Sequence, residues 1–353
     1  MAQPAYMPVT VPETGTVTEI AAGLFWLRMP LPFELNHINL WLLDDGDGWV
    51  IVDTGVDLPE VRAAWERLFA EFLGGRPVKR VLVTHMHPDH FGLAGWLTER
   101  WRAPLYMTAE EYLTGRVLSG PPKPFGWEAR AFLRRAGFDE ADIDEAEGLN
   151  YGQFGAHVSR PPESFRRLND RDRLVIGGRE WRVVVGRGHS PEHACFHCPE
   201  LGVLISGDQV LPRISSNVGI HALEPTANPL KLWLQSLDRF KRLPEHTRVL
   251  PAHGEPFTGL HGRLNALIHG HEERLRLAHR HIREPRSVME CIPFIFRRKL
   301  SGFPRLMAMG EALAHLELLV DRGLARAEDG ADGVRRFVAV EDISPNDQET
   351  LHE

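Results

Sequence analysis

The spacing of hydrophobic positions changes several times along the chain. "LFWLRM" (24–29) and "HINLWLL" (37–43) read as strands, and the turn "DDGDG" (44–48) leads into "WVIVDTG" as the return strand of a hairpin. Residues 58–73 follow the helical period, with Pro59 tolerated in the first turn. "VKRVLVT" (78–84) is then a strand, "FGLAGWLTERW" (91–101) a helix and "PLYMT" (104–108) a short strand. From 109 to 164 the pattern turns to helical pieces separated by Gly/Pro-rich loops such as "LSGPPKPFG". Strands resume with "RLVIGG", "REWRVVVG", "ACFHCP" and "GVLISGD", and a helix over 230–243 leads to the strand "TRVLPAHG".

Strands and helices thus alternate in two similar halves with a helical insertion between them. That pattern predicts an α/β sandwich with sheets inside and helices outside. A long polar helix over 263–283 follows, then helices over 288–296 and 304–322, and then "GLARAEDGADGVRRFVAV" as two strands around an acidic, Gly-rich turn. Helix, helix and hairpin is the outline of a winged helix. The expected division is 1–262 for the main domain, with 109–164 as its insertion, 263–284 for a connecting helix, 285–340 for the winged-helix-like domain and 341–353 for a frayed tail.

Composition narrows the classes. The 353 residues carry a net charge of -7, which disfavours a nucleic-acid partner because phosphate binding rests on basic surface. The small cluster Arg297, Arg298, Lys299 and Arg305 reads as a solvated face. Three cysteines do not make a disulfide framework, and neither a secretory signal nor a membrane span is visible, so a reduced, cytoplasmic protein without membrane contact is expected.

The chemistry concentrates in "THMHPDH". His85, His87, Asp89 and His90 occupy one turn between a strand and a helix. If the strand continues through Thr84, alternation aims His85 and His87 the same way. His189 in "GHSPEH", Asp208 in "SGDQ" and His253 in "PAHG" each follow a strand end, and strand-end loops gathered at one edge of a sandwich would bring all seven together. A zinc site takes about four ligands, so seven suit two ions. Five imidazoles and two carboxylates favour zinc, with iron or manganese also accommodated.

These motifs, in this order, resemble those of the metallo-β-lactamase superfamily, and the resemblance spans about Leu24 to Gly259. It implies a four-layer αββα sandwich with a dinuclear site: His85, His87 and His189 on one divalent ion, Asp89, His90 and His253 on the other, and Asp208 bridging. Asp53 of "DTG" matches an aspartate that orients ligands in the family. The C-terminal outline resembles the β-lactamase-like subgroup with a winged-helix appendage. The implied activity is hydrolysis by a metal-bridging hydroxide, with Asp89 and Asp208 as catalytic carboxylates. A small-molecule thioester, ester or lactone is the favoured substrate, and an RNA phosphodiesterase is the alternative. A β-lactamase side activity and an iron-dependent sulfur dioxygenase rank below these.

Aromatic residues of the insertion (Phe125, Trp127, Phe132, Phe138, Tyr151 and Phe154) are expected either to wall an acyl pocket or to pack the insertion's own small core, with Phe125 and Trp127 the substrate-contact candidates. Asn217, His221 and Lys231 are further substrate-contact candidates, and a homodimer is compatible with the appendage. Cys195 and Cys198 read as ordinary packing on opposite faces of a strand, His193 as a possible support for His189, and His37 as a residue at the site mouth or on the surface. His269, His271, His279 and His281 on the long helix are expected to be solvated.

Overall fold

The computed structural model describes residues 4–32, 35–121, 123–149, 152–296 and 300–340, without the side chains of 152 and 153. Tyr151, the basic run 297–299 and the tail 341–353 lie outside the described residues. Two compact units are distinguished. The first holds Met1–Pro122, Tyr151–Ser216 and Ser236–Ala266; the second holds Lys123–Asn150, Asn217–Gln235 and Leu267–Glu353.

The first unit contains two mixed seven-stranded sheets. One runs, edge to edge, through Thr18–Ala21, Leu24–Pro30, His37–Asp44, Trp49–Val52, Val78–Leu82, Leu105–Met107 and Arg166–Arg167. The other runs through Ala5–Tyr6, Phe257–Thr258, Arg248–Pro251, Val203–Gly207, His193–Cys198, Arg179–Gly186 and Arg173–Ile176. Alternation decides which side chains meet between them. Trp26, Trp41, Val50, Val52 and Leu82 of the first sheet pack against Trp181, Val183, Val185, Phe196 and Ile205 of the second. Trp26 and Trp41 stack at 6.3 Å, and burying a side chain of this kind contributes about 1.5–3 kcal/mol.

The opposite face of the first sheet supplies Leu27, Leu40, Leu42 and Ile51, which meet Val61, Trp65 and Leu68 of helix Pro59–Glu71 and Leu97 of helix Ala94–Trp101. The expected sandwich with outer helices is therefore the observed one. The ladder of the strand after the first helix ends at Leu82. Alternation past Thr84 thus does not aim His85 and His87. His87 instead occupies the N-cap position of the single helical turn Pro88–Phe91, on which Asp89 and His90 lie, and its side chain makes no capping bond.

In the second unit, helices Val288–Ile295 and Gly302–Asp321 precede a hairpin of Ala325–Asp329 and Arg335–Ala339, the predicted outline. A short strand not foreseen in the sequence, Arg286–Ser287, adds a third member to that sheet. Ser287 caps the first helix through a capping box with Glu290.

The segment 109–164 does not stay together. Helix Ala109–Leu118 belongs to the first unit, whereas helices Trp127–Ala136 and Glu140–Leu149 belong to the second. There Arg305 pairs bidentately with Asp142, and Arg135 with Asp329. Trp127 is 76 % exposed, while Phe138 is buried.

Two glycines after the histidine-rich turn permit close approach of backbone from other segments. A Cβ on Gly92 would fall 2.6 Å from the Gly55 carbonyl oxygen and 2.8 Å from that of His157. One on Gly95 would lie 1.9 Å from the Arg160 oxygen. Helix propensity alone favours Gly→Ala by about 1 kcal/mol, and overpacking costs about 1–3 kcal/mol or more. Because the obstructing atom is backbone, the clash wins. Gly95→Ala should lower unfolding stability by roughly 2 kcal/mol, read as an earlier urea midpoint at unchanged slope. An equal or later midpoint would contradict the close packing of 157–160 on this helix.

Candidate metal centre

Five of the predicted site residues of the first unit follow strand termini. Asp53 follows Trp49–Val52, His85 follows Val78–Leu82, His189 follows Arg179–Gly186, Asp208 follows Val203–Gly207 and His253 follows Arg248–Pro251. The structure brings the seven ligand-type residues into two groups. The ligand atoms of His85, His87, His189 and Asp208 lie within 4.8 Å of one another, as do those of Asp89, His90 and His253.

Asp208 stands between the groups. Its Oδ2 lies 3.4 Å from His189 Nε2 and 4.0 Å from His85 Nε2, and its Oδ1 lies 3.4 Å from His253 Nε2 and 3.7 Å from His90 Nε2. His90 Nε2 and Asp208 Oδ1 are buried without a hydrogen-bond partner. Two buried polar atoms left without a partner and facing one centre are what a metal site presents before its ion is counted.

The outward nitrogens of the imidazoles fix these directions. The Asp53 carboxylate accepts from the Thr84 N–H at 2.7 Å, the Thr84 hydroxyl at 2.9 Å and His90 Nδ1 at 2.8 Å. With its proton spent on Asp53, the Thr84 hydroxyl accepts from His85 Nδ1 at 3.1 Å. His253 Nδ1 donates to the His37 carbonyl at 2.8 Å, and His37 Nε2 accepts the Gly254 N–H at 3.0 Å. His37 therefore holds the His253 loop, a role its sequence position left open. Asn39 assists by donating to the Pro251 and Gly254 carbonyls. His193 Nε2 accepts the Asp208 N–H at 3.0 Å, so this imidazole orients the carboxylate between the groups. Gly207 has a φ of 50° and lies so close that a Cβ would sit 2.5 Å from His193 Cε1.

Charge is unevenly distributed. Burial, and then the imidazoles of His90, His87, His193 and His189, hold His85 well below the ordinary value, and His87 is lowered to about 3, chiefly by burial. Burial would also lower His90, but the carboxylates of Asp53, Asp89 and Asp208 outweigh it and raise the group well above the usual range. Burial opposes ionisation of Asp208, yet His253 and His90 keep it well below the carboxylate range. His85 and His87 are thus held neutral and ready to ligate.

One supporting residue has no motif to announce it. Glu111, fully buried on helix Ala109–Leu118, accepts the Met86 N–H at 3.0 Å through Oε2 and the Glu192 N–H at 2.7 Å through Oε1. It ties together the two loops that carry His85, His87 and His189. Burial pushes its carboxyl pKa up, offset in part by Ser190 and these two amides. Of the remaining candidates, Phe125, Trp127, Asn217, His221 and Lys231 belong to the second unit. There Asn217 Nδ2 donates to Glu311 Oε2 at 3.1 Å and Lys231 pairs with Asp321 at 2.9 Å. Cys198 packs in the core between the sheets, and Cys195 Sγ contacts the Ser206 carbonyl; both are free thiols.

Glu111→Gln should keep the fold and lower metal affinity about 10- to 100-fold, because an amide cannot accept from both loop N–H groups. Competition against a chelator measures it, with circular dichroism as the fold control. Unchanged affinity would deny Glu111 this positioning role.

Comparison with known proteins agrees with this geometry. Residues 34–253 match the metallo-beta-lactamase superfamily model, and residues 275–340 match the metallo-beta-lactamase-like C-terminal domain. A beta-lactamase domain protein from Burkholderia ambifaria is 44% identical over 96% of this chain and 98% of its own, with a TM-score of 0.87. The metallo-beta-lactamase family protein TTHA1429 from Thermus thermophilus is 31% identical over 91% of this chain and 100% of its own, with a TM-score of 0.77. Among curated relatives, "Probable metallo-hydrolase YqjP" of Bacillus subtilis is 25% identical over 83% of this chain and 91% of its own. "Acyl-coenzyme A thioesterase MBLAC2" of Gallus gallus is 27% identical over 54% and 64%, and "Atrochrysone carboxyl ACP thioesterase nsrC" of Aspergillus novofumigatus is 25% identical over 86% and 78%. No described helix is long and apolar enough to cross a membrane. With the sandwich, the paired ligand groups and the C-terminal match in agreement, the chain belongs to the metallo-β-lactamase superfamily and is a metal-dependent hydrolase carrying that superfamily's β-lactamase-like C-terminal domain.

Proposed function

We propose that the chain hydrolyses a small-molecule acyl substrate, a thioester before an ester or lactone, at a dinuclear centre. His85, His87 and His189 would hold one ion, Asp89, His90 and His253 the other, and Asp208 both. The observation that carries the reading is Asp208, with Oδ2 facing His189 and His85 and Oδ1 facing His253 and His90. The imidazole-rich donor set suits zinc, and iron or manganese would also fit it. Bound divalent ions supply a water of lowered pKa and polarise the acyl oxygen.

The chain's own groups do the rest. His193 and the backbone of Asp208 keep that carboxylate between the groups. His253 Nε2 engages Asp89 Oδ2 at 3.3 Å. The other oxygen of Asp89 is left to accept a proton of the attacking water and orient its lone pair toward the acyl carbon. No seryl or cysteinyl nucleophile is required. The names of two relatives, an acyl-coenzyme A thioesterase and an acyl-carrier-protein thioesterase, support the thioester over the other acyl bonds. Of the basic cluster that an RNA substrate would need, Arg305 is paired with Asp142.

The test is a panel on metal-analysed protein: an acyl-coenzyme A, a lactone, a carboxylic ester, a cephalosporin and an RNA. Release of free thiol from the acyl-coenzyme A should give the highest kcat/KM. Preferential turnover of the RNA or the cephalosporin would overturn the reading. Asp208→Ala should remove at least one metal equivalent and lower kcat/KM by a factor of a hundred or more, roughly the upper limit for losing a mere supporting partner. A fully active variant with its metal retained would sink the dinuclear assignment.

A further inference from the structure

The second unit holds another convergence of metal-ligating side chains, which no function described so far employs. His271 comes from helix Leu260–His281, and Glu311 and His315 come from helix Gly302–Asp321, one turn apart and so on one face. The expectation that His271 is solvated fails: His271 and His315 are both 0 % exposed and Glu311 is 7 % exposed. Their ligand atoms lie within 4.8 Å of one another.

Hydrogen bonding sets the direction of the lone pairs. His315 Nδ1 donates to the Glu311 carbonyl at 2.7 Å, the i to i−4 bond of a helix turned to side-chain use. Its Nε2 lone pair then faces His271 Nδ1 at 3.3 Å. Two imidazole nitrogens on a tetrahedral zinc, each about 2.0–2.1 Å from the ion, stand roughly 3.3–3.4 Å apart. The His85 and His189 Nε2 atoms of the main centre show the same 3.3 Å. Glu311 completes the set with its carboxylate, whose outer side accepts from Arg274 Nη1 at 3.1 Å and from Asn217 Nδ2 at 3.1 Å. Each bond takes one lone pair of one oxygen and leaves another. Such outer partners hold a ligating carboxylate in place. The Arg274 charge also ranks this position below the main centre in affinity, since it opposes a cation.

We propose that His271 Nδ1, His315 Nε2 and the Glu311 carboxylate form a third metal site, for zinc or a similar imidazole-preferring divalent ion, with water in the fourth position. Its role is structural: it clamps the two helices that carry it.

Protein stripped with chelator and titrated with Zn2+ tests this, with metal counted by mass spectrometry after gel filtration. Wild type should hold one equivalent more than His315→Gln and than His271→Gln, whatever the occupancy of the main centre. Zinc should also raise the Tm of the wild type more than that of either variant. Equal stoichiometry in wild type and in two folded variants overturns the site. Should the variants not fold, anomalous diffraction at the zinc edge from wild-type crystals decides: a peak about 2 Å from both His271 Nδ1 and His315 Nε2 supports it, and its absence in zinc-soaked crystals overturns it.

Discussion

A single buried carboxylate sets the orientation on which the centre depends. Asp53, 1 % exposed and in the left-handed region with a φ of 61°, accepts three hydrogen bonds from two residues of the histidine-rich turn. Left unpaired, such a charge would cost several kcal/mol. Paired, it compels His90 to present Nε2 inward and lets Thr84 do the same for His85. The next residues lock the arrangement from the other side. Thr54 donates through its N–H and its hydroxyl to the His90 carbonyl, and Trp65 Nε1 donates to the Thr54 carbonyl. The ligand turn is thereby fastened to a strand end and, through Trp65, to the helix that covers the sheet.

The same rule governs the other loops. A side chain faces the centre because its opposite end is tied away from it: His253 to the His37 carbonyl, Asp208 through its N–H to His193, and the loops around His85 and His189 to Glu111. Strand ends of both sheets supply the anchors, so the hydrophobic packing of the sandwich becomes positional accuracy in the site. The protein alone carries an electrostatic cost for this. Burial holds His85 and His87 low, while His90 and His253 are charged groups taken out of water and balanced by carboxylates. Divalent ions bound there would displace the protons of His90 and His253 and pair with the carboxylates, so ion binding is coupled to fold stability.

How much of this was legible in the chain depended on range. The sandwich and the seven ligand-type residues could be read because the signals are local: alternating apolar runs, and a histidine, aspartate or both just past each run. Glu111 could not, because its meaning lies in two amides on loops far along the chain, and "TAEEY" reads as an ordinary helix start. Helices Trp127–Ala136 and Glu140–Leu149 look like part of one insertion, yet ion pairs such as Arg135 with Asp329 and Arg305 with Asp142 place them with the C-terminal segments. His271 was misread for a related reason. Histidines two apart on a helix face different ways, and only the facing helix decides which of them is buried.

The two histidine clusters also show what separates a metal centre from a polar core. In the main centre His85 Nε2 and His87 Nδ1 share a hydrogen bond at 2.8 Å, yet two aspartates face five imidazoles and two buried atoms, His90 Nε2 and Asp208 Oδ1, are left unbonded. Hydrogen bonds within the protein leave part of such a set unsatisfied, and a cation can complete it. In the helical cluster the balance is closer. His271 and His315 still oppose nitrogen to nitrogen, but Arg274 and Asn217 bring donors to Glu311, so the protein can partly satisfy the cluster by itself. The buried polar atoms left unsatisfied, more than the number of histidines, therefore order the two sites in affinity, and they explain how one chain can hold a tightly demanding centre and a weaker clamp built from the same side chains.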